Sequence, residues 1–282
     1  MPINKRQQLK AQQFHELHHN GKMLVLPNIW DLIGAALLEK MEYAAVATAS
    51  ASIAFTSGYD DGENIPFSEV LKELSKIVNS VNVPVTVDFE SGYAQTESEL
   101  YKNIERVIKT GVVGINIEDT NKQTGTLFPV EVQCRRISII RKVSSEMKIP
   151  LFINARTDVY LKGKDFVSAE EKFEETLKRG KEYLNAGANC IFPILMKQKE
   201  DIQNLISALQ CPVNILAVPG IPDFKILEEI GVARVSLGPS FLKIAIRAMK
   251  QLAEKLKNYE GMEDIEGNEI TTDYLRDLVN KK

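Results

Sequence analysis

Short apolar runs alternate with longer amphipathic segments along the whole chain. The short runs are rich in β-branched residues and show little polar alternation, which is typical of parallel strands that are buried on both faces. They predict strands at residues 23–27, 44–48, 84–88, 112–117, 150–155, 189–194, 212–217 and 234–237.

The segments between these strands have the apolar spacing of helices. They predict helices at residues 31–41, 66–81, 97–110, 129–147, 168–186, 197–209, 223–230 and 240–257. Thr96 and Ser168, each followed by acidic residues, are predicted N-caps, and Gly111, Gly187 and Gly231 are predicted to end helices just before strands. Eight strands, each followed by a helix, predict an α/β fold of the (β/α)8 TIM-barrel type.

Two segments fall outside this repeat. Residues 4–19 have the pattern of an extra amphipathic helix, within an N-terminal stretch of residues 1–20. Residues 258–282 form a polar C-terminal tail with a short predicted helix at residues 271–279. No linker marks a domain boundary, so residues 1–282 are predicted to form a single barrel domain.

Composition narrows the possible classes of protein. The 282 residues are 44% hydrophobic and carry a net charge of -3, without the basic stripe that nucleic-acid binding requires. The polar N-terminus does not have the pattern of a signal peptide, and no apolar run is long enough to span a membrane. Cys134, Cys190 and Cys211 are too few and too scattered for a disulfide framework or a zinc site. We therefore expect a soluble cytoplasmic protein that binds neither nucleic acid nor membrane.

Acidic residues follow two neighbouring predicted strands. Asp88 and Glu90 come at the end of one strand, and Glu118 and Asp119 at the end of the next. In a TIM barrel, catalytic groups lie at these carboxyl ends. Buried carboxylates need a partner, and a hard cation such as Mg²⁺ prefers oxygen ligands. Asp88 and Glu90 would point to one side of an extended strand, whereas Asp119 would point away from Glu118 and would cap or orient.

The next strand ends with Asn154, Arg156 and Asp158. A metal site beside an arginine suits an anionic substrate. Two alternatives remain open at this point: Arg156 and Asp158 could form a simple salt bridge at the rim, and the acids of the earlier strand could be solvated without a metal. Trp30, after the first strand, could line the pocket or pack into the core.

Four segments in chain order resemble motifs of the isocitrate lyase/phosphoenolpyruvate mutase superfamily. They are residues 57–62 (Ser-Gly-Tyr-Asp-Asp-Gly) after the turn at residues 48–50 (Thr-Ala-Ser), residues 87–93 (Val-Asp-Phe-Glu-Ser-Gly-Tyr), residues 116–119 (Asn-Ile-Glu-Asp) and residues 154–158 (Asn-Ala-Arg-Thr-Asp). The resemblance extends from about residue 26 to residue 238, nearly the whole predicted barrel.

The resemblance implies an enzyme that forms or cleaves C–C or P–C bonds beside a carboxylate, through an enolate held on Mg²⁺, with Mn²⁺ as a possible substitute. Matched by motif, Asp88, Glu90 and Glu118 would hold the metal, partly through water. Asp61 would lie near the reacting centre. The substrate would contact Arg156 and the turn formed by Thr48, Ala49 and Ser50.

The loop after the second acidic strand departs from the lyase members of that family. Residues 120–128 (Thr-Asn-Lys-Gln-Thr-Gly-Thr-Leu-Phe) lack the Lys-Lys/Arg-Cys-Gly-His motif, so the catalytic Cys of methylisocitrate lyase-like members is missing. The Glu that follows Phe-Pro in those lyases is replaced by Ile194. Isocitrate and methylisocitrate are therefore poor candidates for the substrate. The mutase members use an Asn and a Lys of the same loop, and by that resemblance Asn121 and Lys122 are the candidate catalytic residues here. The loop would close as a lid.

The sequence thus predicts a Mg²⁺-dependent lyase that cleaves a C–C bond of a small 2-oxo or 2-hydroxy (di)carboxylate. A P–C bond enzyme, namely a phosphonopyruvate mutase or hydrolase, and an oxo-acid decarboxylase are alternatives. A metabolite-binding barrel without turnover is the non-enzymatic alternative. The resemblance also implies a homodimer or homotetramer, with the helix after the last strand possibly exchanged between neighbours.

Overall fold

The computed structural model describes residues 5–162 and 165–280, so predictions for residues 1–4 and 281–282 lie outside it. All eight predicted strands are present within a few residues of their expected bounds. The first is interrupted at Pro27, which has no N–H to donate to a neighbouring strand, and therefore becomes two short strands. Within the described residues, the strands are β1 (Leu24–Leu26), β2 (Asn28–Ile29), β3 (Val46–Thr48), β4 (Val85–Asp88), β5 (Gly114–Glu118), β6 (Phe152–Thr157), β7 (Cys190–Pro193), β8 (Asn214–Leu216) and β9 (Arg234–Ser236).

All the strand pairs are parallel and follow chain order. β2 to β7 form one sheet, and β8, β9 and β1 form a second. An isolated parallel bridge between Ile191 and Val213 links β7 to the segment entering β8, and the chain passes directly from β1 to β2. The two sheets therefore close on each other, and the predicted TIM barrel is confirmed.

The helices surround the barrel as predicted, with α3 and α11 as additions. They are α1 (Lys5–Leu17), α2 (Leu32–Lys40), α3 (Ser50–Thr56), α4 (Phe67–Ser80), α5 (Glu97–Lys109), α6 (Val130–Glu146), α7 (Ala169–Asn185), α8 (Lys199–Leu209), α9 (Phe224–Glu229), α10 (Ser240–Leu256), α11 (Met262–Glu266) and α12 (Thr272–Val279). The predicted N-caps are confirmed, because Thr96 accepts a hydrogen bond from the Glu99 amide and Ser168 from the Glu171 amide. No helix in the described part of the chain could cross a membrane.

Helix α1 closes the amino-terminal end of the barrel. Phe14 packs edge-on against Phe152, and His18 stacks on the same ring with a centroid distance of 4.0 Å. Gly114 makes room for this plug, because a Cβ there would lie 2.7 Å from Phe14 Cε1 and 2.6 Å from Thr86 Oγ1. The opposite, carboxyl-terminal end of the barrel is left for the polar strand ends.

Candidate active site

Asp88 faces the interior of the barrel, at the top of a ladder of polar side chains. Asn154 Nδ2 donates to Asn116 Oδ1 over 2.8 Å, and Asn116 Nδ2 lies 3.5 Å from Asp88 Oδ1. The three residues are register partners on β4, β5 and β6. Because register partners in parallel strands point to the same side, the ladder fixes Asp88 towards the barrel axis.

The turn after β3 contacts this carboxylate directly. Ser50 Oγ donates to Asp88 Oδ2 over 2.7 Å, and Thr48 Oγ1 accepts from the Asp88 amide over 3.1 Å. The Ala49 amide donates to the Ile29 carbonyl, so that N–H is engaged within the fold. Residues 48–50 thus position Asp88, with the Ser50 side chain nearest to the site.

Glu90 reaches the site through a turn, and not through strand alternation. β4 ends at Asp88, and Glu90 has a φ of 49°, in the left-handed region that non-glycine residues rarely adopt. The Glu90 side chain is 2% exposed and accepts a hydrogen bond from Tyr93 Oη over 3.0 Å. Burial, together with the negative charges of Asp88 and Asp61, raises the pKa of Glu90 to about 7, although Lys122 opposes the shift.

Lys122 inserts its ammonium group between two carboxylates. Its Nζ lies 2.5 Å from Glu118 Oε1 and 3.2 Å from Glu90 Oε2. Burial alone would lower the pKa of Lys122, but the two carboxylates raise it above its usual range. The loop that carries Lys122 is folded back on itself by an antiparallel bridge between Thr120 and Leu127, so Lys122 is presented by an ordered turn.

Arg156 forms an ion pair with the other carboxylate oxygen of Glu118, Oε2. Its NH1 lies 2.9 Å from Glu118 Oε2, and its Nε lies 2.6 Å from Asp158 Oδ1. The salt bridge between Arg156 and Asp158 is therefore present, but as part of a larger network. Burial raises the pKa of Glu118, and Arg156 and Lys122 oppose that shift. Two cations and three carboxylates, those of Glu90, Glu118 and Asp158, thus form one connected cluster.

Asp119 points away from this cluster and into the layer between barrel and helices. Its carboxylate accepts hydrogen bonds from the Asp158 amide, from Tyr183 Oη and from Arg179 NH1, at distances of 2.8, 2.8 and 3.1 Å. The side chain is completely buried. Asp119 therefore ties α7 to the β6 loop behind the site.

The remaining predicted site residues lie around the rim. Asp61 lies at an exposed position, and partial burial of its carboxyl group and the negative charge of Asp88 raise its pKa. Asn121 Oδ1 accepts from the Gln123 amide and shapes the Lys122 loop. Trp30 is partly buried against the core.

The sequence analysis did not predict Asn116 and Tyr93 as contacts of the acids, although both residues lie within the recognised motifs.

A cavity of about 510 Å³ adjoins the cluster on the outer side of Lys122. Its walls come from the loops after β3, β4 and β5, and include Phe67, Tyr93, Phe128 and Glu63. Tyr93 and Lys122 separate this space from the buried acids, since both also bind Glu90. A movement of the Lys122 loop would open one space into the other.

Carboxylates such as those of Glu90 and Glu118 are suitable ligands for Mg²⁺, but in this structure they form ion pairs with Lys122 and Arg156. In the described residues, no group of three or more His, Cys, Asp or Glu is arranged to hold a metal ion. Asp88 bonds with a serine, whereas Glu90 and Glu118 both turn to Lys122. Carboxylate oxygens with water are the usual Mg²⁺ ligands, so the donor set fits provided that the metal displaces Lys122.

Comparison with known proteins agrees with this architecture. Residues 14–257 match the family model of phosphoenolpyruvate phosphomutase. An uncharacterised protein of Mycobacterium tuberculosis (strain H37Rv) is 31% identical over 80% of this chain and 81% of its own length. The 2-methylisocitrate lyase of Bacillus subtilis is 21% identical over 94% of this chain and 89% of its own.

Comparison with solved structures finds proteins of the same fold. A putative phosphonomutase from Burkholderia cenocepacia superposes with a TM-score of 0.82 at 34% identity, covering 89% of this chain and 99% of the other. A phosphonopyruvate hydrolase complexed with oxalate and Mg²⁺ superposes with a TM-score of 0.81 at 17% identity, covering 95% and 94%. The second match shows the fold alone.

The fold and the family match define the class of protein: an enzyme of the isocitrate lyase/phosphoenolpyruvate mutase type. The chain belongs to the phosphoenolpyruvate phosphomutase family, and the resemblance found in its motifs is confirmed. Members of this superfamily include lyases, mutases and hydrolases.

Proposed function

We propose that this protein is a Mg²⁺-dependent lyase that cleaves a C–C bond of a small 2-oxo or 2-hydroxy (di)carboxylate through an enolate. The observation that carries the proposal is the cluster in which Glu90 and Glu118 share Lys122, with Arg156 and Asp88 beside them. Such a concentration of buried carboxylates and cations suits an anionic substrate and a metal. Support for the metal comes from superfamily members that use Mg²⁺.

The site residues have different proposed roles, which follow from their positions. Asp88, Glu90 and Glu118 would hold the metal, which when bound stabilises negative charge on the substrate oxygen. Arg156 is held rigidly by Glu118 and Asp158, so its remaining N–H groups can bind the substrate carboxylate or the enolate oxygen without losing their orientation. Ser50 supplies a further donor at Asp88.

A proton must be delivered to the enolate carbon after bond cleavage. Lys122 and Asn121 lie on the loop that covers the acids, and Asp61 lies on the opposite loop, so these three are the candidate proton donors or positioning groups. The loop of residues 120–128 would also exclude water from the site and so prevent water from protonating the enolate. Among the residues that the structure describes, no Cys or His side chain belongs to this network.

The test replaces the acids one at a time. Asp88→Ala and Glu118→Ala are expected to abolish turnover of a panel of 2-oxo and 2-hydroxy dicarboxylates and to weaken Mn²⁺ binding, while the circular dichroism spectrum is retained. Asp60→Ala, in an exposed residue next to Asp61, is the control and should retain both. Full activity in the Asp88 and Glu118 variants would refute the site. Binding of oxalate without turnover of any panel member would favour a metabolite-binding barrel.

P–C bond chemistry is the second candidate, because the matching family model is that of a phosphomutase and the 34% identical structure is that of a putative phosphonomutase. Incubation with phosphonopyruvate, followed by phosphorus NMR, separates the two. Phosphoenolpyruvate as the product indicates a mutase, and inorganic phosphate indicates a hydrolase. Release of CO₂ from oxaloacetate would identify an oxo-acid decarboxylase instead.

We also propose that the protein is a homodimer or homotetramer in the cytoplasm. In α10, Ile244, Ile246 and Met249 are 52%, 50% and 60% exposed, and Leu242 is the helix's one buried residue. Ile246 and Met249 are three positions apart and therefore share one face of the helix, and exposed apolar side chains of this kind are typical of an interface between subunits. Exchange of α10 between neighbours would bury it. The three free cysteines are compatible with a reducing compartment.

A further inference from the structure

Thr120 links the loop of residues 120–128 to the arginine of the site. Its Oγ1 donates a hydrogen bond to Asp158 Oδ2, and the other oxygen of that carboxylate, Oδ1, accepts one from Arg156 Nε over 2.6 Å. Thr120 and Asp158 are 7% and 1% exposed, so the hydroxyl and the carboxylate lie away from solvent. The threonine hydroxyl therefore fixes the rotation of the carboxylate that orients the guanidinium of Arg156.

Arg156 has a second anchor in Glu118. Its NH1 lies 2.9 Å from Glu118 Oε2, whereas Lys122 Nζ lies 2.5 Å from Oε1 of the same carboxylate. Glu118 is one of the acids that are proposed to hold the metal, so this anchor would be shared with Mg²⁺. Asp158 is not among those acids. Its bond to Arg156 can therefore persist when Glu118 changes partners.

The base of the loop is fixed at both ends. Thr120 pairs with Leu127 in an antiparallel bridge, and the Phe128 amide donates to the Asp119 carbonyl over 2.7 Å. Beyond this base, the loop forms a turn that is exposed at residues 123–126. Movement of the loop is therefore expected in the turn, and Thr120 can keep its bond while the turn moves.

We propose that Thr120 is a positioning residue, which acts through Asp158 and keeps Arg156 oriented towards the substrate carboxylate while the loop moves and Glu118 exchanges its ion pairs for the metal. This inference rests on the proposed function, in which Arg156 binds a carboxylate of the substrate. A guanidinium that is already held in its binding orientation binds a carboxylate more tightly than one that must be ordered on binding. Loss of the Thr120 hydroxyl should therefore weaken binding of the anion, and not binding of the metal.

The test measures oxalate binding by titration calorimetry at saturating Mg²⁺. Thr120→Val keeps the shape of the side chain and removes its hydroxyl. The Kd for oxalate is expected to rise about 10-fold, a typical effect of losing an outer hydrogen-bond partner at a metal site. Mn²⁺ affinity, measured by electron paramagnetic resonance, should be unchanged because no proposed metal ligand is altered. Thr120→Ser retains the hydroxyl and should restore oxalate binding.

Thr126→Val is the matched control. Thr126 belongs to the same loop, and its Oγ1 lies 2.8 Å from Thr124 Oγ1 at an exposed position. This variant loses the same hydroxyl and should bind oxalate as the parent does. In a double-mutant cycle with Asp158→Asn, Thr120→Val should add little further loss of oxalate affinity, because both changes act on one contact. Additive losses would overturn the route through Asp158.

The possible failures of this test are distinguishable. A Kd for oxalate that is equal in the parent and in Thr120→Val would overturn the role of Thr120 and leave the proposed function intact. A lower melting temperature at unchanged oxalate affinity would likewise overturn it, since Thr120 would then serve stability alone. A parent protein that binds no oxalate with Mg²⁺ would overturn the proposed function, and the role of Thr120 with it.

Discussion

Lys122 binds Glu118 through an Nζ–Oε1 contact of 2.5 Å, and the same ammonium reaches Glu90 at 3.2 Å. A loop residue therefore occupies the space between two of the three acids that are proposed to hold Mg²⁺. The loop and the metal compete for the same carboxylates. Metal binding should consequently release the loop, which would link loading of the site to opening of the neighbouring cavity.

Lys122→Met tests this competition. The variant is expected to bind Mn²⁺ about ten-fold more tightly, because both carboxylates lose their competing ion pair with Lys122. A ten-fold change corresponds to about 1.4 kcal/mol. Turnover should fall at the same time if Lys122 also handles a proton. Electron paramagnetic resonance of free Mn²⁺ gives the affinity, and Lys102→Met, in an exposed lysine on α5, is the control. Unchanged affinity in Lys122→Met would contradict the competition.

Asp61→Asn tests the exposed acid opposite the loop. Its raised pKa suits proton transfer. The substitution is expected to lower kcat by roughly 10²–10⁴-fold, the usual contribution of a general acid or base, with little change in melting temperature. Asp60→Asn changes the neighbouring exposed carboxylate in the same way and should be close to the parent. Equal rates in both variants would remove Asp61 from the mechanism.

Asp119→Asn is predicted to lower the free energy of unfolding. The change removes the fully buried one of the two carboxylates that pair with Arg179, the other being Glu175, and weakens the bond from Tyr183. A loss of about 3–5 kcal/mol in the free energy of unfolding is expected, measured by urea denaturation. Glu97→Gln, which removes an exposed ion pair with Arg135, should cost less than about 1 kcal/mol. A small effect of Asp119→Asn would mean that Glu175 alone satisfies Arg179.

Met249→Glu tests the assembly. A charge in the exposed apolar face of α10 should dissociate the oligomer, and sedimentation velocity should show the monomer mass. Gln251→Glu adds the same charge to an exposed polar position of α10 and should leave the assembly intact. A parent protein that sediments as a monomer would contradict the proposed interface.

His18 should make stability depend on pH. Its pKa is about 3 in the folded protein and 6.5 when unfolded, so the unfolded chain binds one more proton between these values. Stability is therefore fully present above pH 6.5 and decreases as the pH falls towards 3, by at most about 1.4 kcal/mol per pH unit. Besides burial, the charged or titrating groups that lower the pKa of His18 are Arg234, His19 and His15. His18→Phe, measured in chloride buffer, should reduce the slope between pH 4 and pH 6, and an unchanged slope would contradict the assignment.

The sequence by itself determined the barrel and the order of its polar strand ends. Buried parallel strands must be continuously apolar, so the eight strands are visible as runs, and Asp88 and Glu118 stand out where two of those runs end. The family motifs in the same segments identified the superfamily. The helix α3 was missed because residues 50–56 are rich in Ser and Thr, which favour turns as much as helices.

Only the tertiary structure decided which charges meet. Sequence alternation suggested that Asp88 and Glu90 share a strand face, but β4 ends at Asp88 and the turn at Glu90 brings its carboxylate to Lys122. The pairing of Lys122 with Glu90, and that of Arg156 with Glu118, bring together side chains that are distant in the chain. Local pattern reports whether a side chain is buried, but the partner of a buried charge is set by packing between elements, which the linear order of residues does not record.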